Sequence, residues 1–383
     1  MPRAVLLLLL VSSTSGCFGT RYVAQAAYGQ LELLGYSRPV AQVLKDPRTD
    51  PRTAALLLES RAILTFAGQN GLPSHGNYRR FVELDRNQVV WFVTASRPLA
   101  FAAKIWRFPI AGSFPYLGWF EVEAARRHRD ELTADGWDVY MRPVRAYSTG
   151  GWFRDPILST MLLPGDNAIS YLTEVLLHEL VHANVLVKDQ AVYNESVASF
   201  IGDGLAAAYL AERFGSGSKE LAAYCDLLDD ERRSGERMAR AYAELDALYR
   251  SAATPAEKQA GKDRITGVLQ AELHLLRRPN NASLQGFKTY HAGHEALVAL
   301  FASQGSWPRF IAAVKGVERR AFTRPHQLFE DLSRPRLVGG VQLAEDLFGI
   351  ARQRAFHLPD LLVGGMGQPA SDAPLPQQGQ GKL

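Results

Sequence analysis

The chain has very little cysteine: Cys17 and Cys225 are its only two in 383 residues. A disulfide-stapled scaffold is therefore excluded, and stability has to come from a buried core. Charge of one sign is also lacking. The formal net charge is +4, and bases are interleaved with acids, as in DERRSGERMAR at 230–240. Nucleic-acid binders usually concentrate their basic residues in one patch, so the charge pattern gives no support for such a partner. Missing too is an apolar run long enough to cross a bilayer, which takes roughly 20 residues. No internal repeat appears. What remains is ordinary for a globular protein, with 47% hydrophobic and 21% charged residues. The length suffices for one large core or two modest ones.

The N-terminus has the layout of an export signal. Arg3 precedes an apolar run from Ala4 to Val11, followed by small residues and then Cys17. Ser15-Gly16-Cys17 resembles the lipobox of bacterial lipoproteins, with Thr14 where that pattern usually has leucine. The expectation is a signal peptide over 1–16 and a lipid on Cys17 that tethers the chain to a membrane face. Phe18 follows the cysteine in place of the aspartate associated with inner-membrane retention. That favours the periplasmic face of the outer membrane in a Gram-negative host. With Cys17 acylated, Cys225 would have no partner.

Periodicity divides the rest into a mixed α/β region over 17–167 and a helical region over 168–363, followed by a Pro/Gly/Gln-rich, disordered tail over 364–383. Helical patterns run over 22–45, with a break near Gly35–Pro39, and over 52–69 and 121–135. Strand patterns fall at 88–93 and 138–148, and short strands and turns at 105–120. Further helices are expected over 169–187, 191–214, 218–252, 255–277, 294–315 and 326–356. Thr254-Pro255-Ala256-Glu257 is a start signal: Thr as N-cap, Pro at N1 and Glu at N3. The fold class is α+β and predominantly helical.

The chemistry lies in LLHELVHANVLVKDQAVYNESVASFIG at 176–202. His178 and His182 are four residues apart, so on a helix both imidazoles leave the same face. This is the HExxH spacing for two nitrogens on one zinc ion, with Glu179 as base toward a metal-bound water. A catalytic zinc takes a third protein ligand and keeps one position open. Glu195, on the following helix, is the favoured third ligand. Asp189 is its rival, although its place in the turn suits a helix cap. One zinc per chain is expected, with peptide or protein as substrate.

At these residues the chain resembles a bacterial family of predicted aminopeptidases, within the gluzincin branch of zinc peptidases. The matching stretches are YVAQAAYGQLELL (22–34), VVWFVTASRPLAF (89–101), WRFPIAGSFPYLGWF (106–120), DVYMRPVRAYSTGGWFRDPILSTML (138–162), HELVHANVLVKDQAVYNESVASFIG (178–202) and RPNNASLQGFKTYH (278–291). The resemblance implies a zincin-like fold and peptide-bond hydrolysis, as an aminopeptidase. Envelope endopeptidase action and a non-catalytic zinc-binding lipoprotein are the alternatives. Family members tend to carry cysteines where this chain has Arg107 and Ser113, so a cross-link there is missing.

Peptide hydrolysis also needs a donor for the oxyanion. Tyr147, Tyr290 and His291 lie in family-like stretches and are the candidates. The segment Pro156–Met161 is either a substrate-binding edge strand or a buried one. An aminopeptidase must also recognise an α-ammonium. Asp155, Asp166, Glu174 and Asp189 are the nearby acids, and Asp155 is the first to consider because it precedes that segment.

Overall fold

The computed structural model describes residues 17–291, 293–317 and 319–327, without the side chains of Cys17, Tyr290, His291 and Arg319. The export signal, the lipid on Cys17, the tail and all but the first two residues of the helix expected over 326–356 lie outside the described residues, as do the side chains of Tyr290 and His291.

The N-terminal part alternates helices with short strands. Helix α1 (Cys17–Tyr36) ends where the break is expected, and β1 (Arg38–Pro39) and the single turn α2 (Val40–Val43) follow. Helix α3 (Pro51–Gln69) covers the pattern read over 52–69. Pro51 sits in the first turn and the Asp50 carboxylate accepts from the Thr53 N–H at 2.8 Å. Then come β2 (Arg80–Val82), β3 (Val90–Ser96), β4 (Trp106–Phe108), β5 (Gly112–Phe114) and β6 (Tyr116–Trp119). Helix α4 (Val122–Ala134), β7 (Asp138–Val144) and β8 (Ile157–Leu158) complete this part.

These strands make three small sheets among the described residues, in the orders β1-β2-β8, β6-β3-β7 and β4-β5. The first is mixed, because β2 pairs antiparallel with β1 and parallel with β8. The second is antiparallel throughout, with Thr94 of β3 facing Tyr116 of β6. Ala125, His128 and Leu132 of α4, spaced three and four apart, pack on Val93, Leu117 and Trp119 of this sheet. In β4-β5, Arg107 stands directly opposite Ser113.

The chain then becomes helical: α5 (Ala168–Asn184), α6 (Ala191–Phe214), α7 (Lys219–Arg250), α8 (Pro255–Glu272), α9 (Asn281–His291), α10 (His294–Gln304) and α11 (Trp307–Lys315). The start signal at Thr254 acts as read. Thr254 Oγ1 accepts from the Glu257 N–H at 3.3 Å, and Glu257 Oε2 accepts from the Thr254 N–H at 2.7 Å. The helix expected over 294–315 is instead two. Gly305, with φ +68°, ends α10, and Pro308 in the first turn of α11 could not have carried a continuous hydrogen-bond ladder.

The main core lies around α5, which packs against both α3 and α6. Leu172, Leu176, Leu177 and Leu180 of α5 are fully buried with Leu57 and Ile63 of α3 and Val197, Ile201 and Leu205 of α6. A helix that is apolar nearly all round belongs in such a place. Few positions on α5 are therefore free for polar chemistry, and among them His178 and His182 face Glu195 of α6. No helix among the described residues is long and apolar enough to cross a membrane.

Candidate metal centre

Helices α5 and α6 are antiparallel neighbours joined by the turn 185–190. α5 stops at Asn184, three residues before the expected end. Asn184 Nδ2 donates back to the Leu180 carbonyl at 2.9 Å, and Asp189 adopts φ +61° to reverse the chain. Asn194 then clamps the turn. Its Oδ1 accepts from the Val187 N–H and its Nδ2 donates to the Val187 carbonyl, each at 2.9 Å. This two-point bond fixes the first turn of α6, and with it the neighbouring Glu195.

Gly202 sets how closely the helices approach. A Cβ there would stand 3.2 Å from the Cβ of His178 and 3.4 Å from its Cα. Two turns lie between Glu195 and Gly202, so both look toward the same stretch of α5.

The result is a compact group. His178 Nε2 and His182 Nε2 are 3.3 Å apart, and each is 3.5 Å from Glu195 Oε2. These three residues are a set whose donor atoms could hold one metal ion. The spacing is a sharp test of fit. Two donors each about 2.0–2.1 Å from one tetrahedral ion stand about 3.3–3.4 Å apart. The donor set therefore fits a small divalent ion without movement of either helix. Two imidazoles and one carboxylate leave a tetrahedral position for another molecule.

The electrostatics favour positive charge at this point. Burial opposes a charged His182, yet the charge of Glu195 and its hydrogen bond lift the imidazole to about 9. Burial likewise pushes Glu195 up, but the charge of His182 and hydrogen bonds from both histidines outweigh it and hold the carboxyl well below its ordinary value. Glu174, one turn before His178, places Oε1 3.8 Å from His178 Nδ1, on the side away from the group.

Glu179 sits beside the group and is only 8% exposed. Its Oε2 is buried without a hydrogen-bond partner among the described residues. Burial raises its pKa, more than the nearby histidines lower it. A buried carboxylate oxygen with no donor is costly to a fold unless something else is meant to meet it.

The rival third ligand is engaged elsewhere. Asp189 Oδ1 accepts from both the N–H and the Oγ of Ser113, each at 2.7 Å. Ser113 Oγ also lies 3.2 Å from His326 Nε2, and the Ala191 N–H donates to His326 Nδ1 at 3.2 Å. Since Nδ1 accepts, Nε2 carries the proton, and His326 cannot serve as a base toward Ser113. This Asp-Ser-His arrangement is a clamp that ties the turn to the β4-β5 hairpin.

Of the other sequence candidates, the Tyr147 hydroxyl donates to Gln30 Oε1. Asp155 is 4% exposed, and its carboxylate accepts from Ser148 Oγ, the Thr149 N–H and Thr149 Oγ1 at 2.8–3.0 Å. It is thus satisfied by the chain itself. β8, within the segment Pro156–Met161, is an edge of its sheet, and its two side chains are buried. Tyr116 was not legible as a site residue. From β6 its hydroxyl donates to Glu195 Oε1 at 3.1 Å, across 79 residues of sequence, which turns the other oxygen toward the histidines. No local pattern announces such a contact.

The fold and these residues define an α+β protein whose two neighbouring helices present a His₂Glu group able to hold a metal ion. The chain belongs to the family described as "Putative aminopeptidase", whose model matches residues 21–328. No curated protein matches the chain, and no solved structure does.

Proposed function

We propose that the chain is a zinc metallopeptidase of the gluzincin type that removes residues from peptide N-termini. The observation that carries this is the spacing of the three donor atoms, 3.3, 3.5 and 3.5 Å, with Glu179 adjoining them in sequence. His178, His182 and Glu195 would hold the ion. Bound there, zinc would supply Lewis-acid chemistry toward the scissile carbonyl and a water. Glu179 does the proton work. Its carboxylate takes the proton of the attacking water and returns it to the leaving nitrogen as the C–N bond breaks. Asn194 and Tyr116 act on geometry by fixing the backbone and the carboxylate of the Glu195 region. The family description supports the amino-terminal direction of attack.

The test uses one peptide in two forms, free and N-acetylated, with purified chain of known zinc content. Release of single residues from the free form only is the expected result. Glu179→Gln should keep its zinc and lose turnover by about 10²–10⁴-fold, since the base goes while the ligands stay. Equal internal cleavage of both forms would make it an endopeptidase, and no cleavage of either would end the peptidase reading.

A further inference from the structure

We propose that the outward face of α1 rests on a phospholipid bilayer, so that the chain meets a membrane along a helix and not only at its N-terminal end. Spacing gives α1 two faces. Tyr22, Gln25, Gly29 and Leu33 recur every three or four residues and turn inward. Gln25 Nε2 donates to the Gly118 carbonyl at 3.1 Å, and its Oε1 accepts from the Phe120 N–H at 3.2 Å. The Gly118 N–H donates to the Tyr22 hydroxyl at 3.2 Å, and the Tyr22 ring centroid lies 5.2 Å from that of Trp119. Gly29 admits the Phe120 ring, which any Cβ there would overlap. Leu33 is buried in the main core. These contacts dock α1 on β6 and fix which side looks outward.

The outward side is the unusual one. Val23, Ala24, Ala27, Tyr28 and Leu31 are all exposed, Tyr28 by 72% and Leu31 by 65%. The helix has two charged residues, Arg21 and Glu32, and by spacing both stand on one flank of this face. No charge interrupts it from Val23 to Leu31. A helix that looks onto water normally carries its charged residues there. α4, which packs on the same sheet, does so: Glu123, Arg126, Arg127, Asp130 and Glu131 are among its exposed residues.

The chain before α1 says what covers this face. Position 17, the first of the helix, falls in one row with Ala24, Tyr28 and Leu31 by helical spacing. Shortly before it, Ala4 to Val11 run without a polar side chain. That run, or the acyl group expected on Cys17 once the run is removed, belongs in hydrocarbon. Either one brings the first turn of α1 to a bilayer surface on the side of this row. The helix is about 30 Å long, and no helix among the described residues is apolar enough to cross a membrane. It therefore lies along the interface, with the row against lipid and Arg21 on its flank beside anionic headgroups. Tyr28, with an apolar ring and a polar tip, suits that boundary. A second protein surface has no such tie to position 17.

The experiment places a bimane fluorophore at Ala27→Cys in the full chain carrying Cys225→Ser, with the same chain lacking Ala27→Cys to subtract any signal from an unblocked Cys17. The label at Arg127→Cys, on the charged face of α4, is the comparison. The proteins are bound to vesicles of phosphatidylethanolamine and phosphatidylglycerol, with and without bromine on the acyl chains. Bromolipid should remove most of the fluorescence at position 27 and little of it at position 127. Adding Tyr28→Glu and Leu31→Glu should abolish the quenching at position 27 and leave the melting temperature unchanged, since both side chains are exposed in the folded chain. Equal, weak quenching at the two positions overturns the proposal, as does a chain that does not bind the vesicles. A label at position 27 that is shielded from water yet untouched by bromolipid also overturns it, by assigning the face to a second copy or to the segment after residue 327. An early melt of the doubly charged variant would make the row part of the fold and overturn it too.

Discussion

Two regions meet at the metal group, and they are built in opposite ways. On one side, α5 and α6 present His178, His182, Glu179 and Glu195 from within 18 residues of sequence, on helices fixed by a buried apolar core. On the other, strand β6, paired with β3, brings in Tyr116, whose hydroxyl donates to Glu195 Oε1 across 79 residues of sequence. The helical side supplies the group that could hold a metal ion, and the strand side supplies the hydroxyl that orients Glu195. A helix converts sequence spacing directly into geometry. A sheet does so only after its pairing is known. Damage to the helical side should therefore abolish the site, while damage to the strand side should grade its performance.

The largest effect should come from the close approach of the two helices. Gly202→Val would drive a branched side chain against His178, whose Cβ stands 3.2 Å and whose Cα and N stand 3.4 Å from where even a Cβ would lie. Overpacking of this kind costs about 1–3 kcal/mol, and widening the pair spoils the ligand spacing as well. Denaturant unfolding should show the loss of stability, and the purified variant should carry well under one equivalent of zinc. Full stability and full zinc content would mean that the interface at Gly202 is looser than described.

A smaller effect is expected on the strand side. Tyr116→Phe removes the donor to Glu195 Oε1 and leaves the stacked contact with Phe92, whose ring centroid lies at 4.6 Å. Zinc affinity should fall by about 10–100-fold, the usual consequence of losing an orienting partner, with the fold intact. Competition with a chelator of known affinity measures this. An unchanged affinity would show that the helices alone orient Glu195, and the division between the two regions would lose its basis.

This contrast also explains what the sequence made readable. The α+β, mainly helical class, the cap at Thr254, and the spacing of His178 and His182 are local patterns, and each corresponds to the observed structure. The α6 position of Glu195 followed from the turn signals between the helices. The strands β1 and β2 were missed because two and three residues carry no period, and β2 is completed by the distant β8. The break at Gly305 was missed because apolar periodicity continued through it. Tyr116 could not be found, since its role depends on a contact across 79 residues. Asp155 and Tyr147 drew notice from their place in the sequence. Their polar atoms are bonded within the chain, to Ser148 and Thr149 and to Gln30.

The central claim, that α5 and α6 together form a zinc site with Glu195 as third ligand, is tested most directly by elemental analysis of three dialysed proteins. Wild type should carry about one equivalent of zinc per chain. Glu195→Ala should lose it, because two imidazoles remain where three donors were needed. Asp189→Ala should keep it, because that carboxylate is bonded to Ser113 rather than turned toward the histidines. Zinc-free wild type, or a metal that survives Glu195→Ala but is lost in Asp189→Ala, would contradict the site.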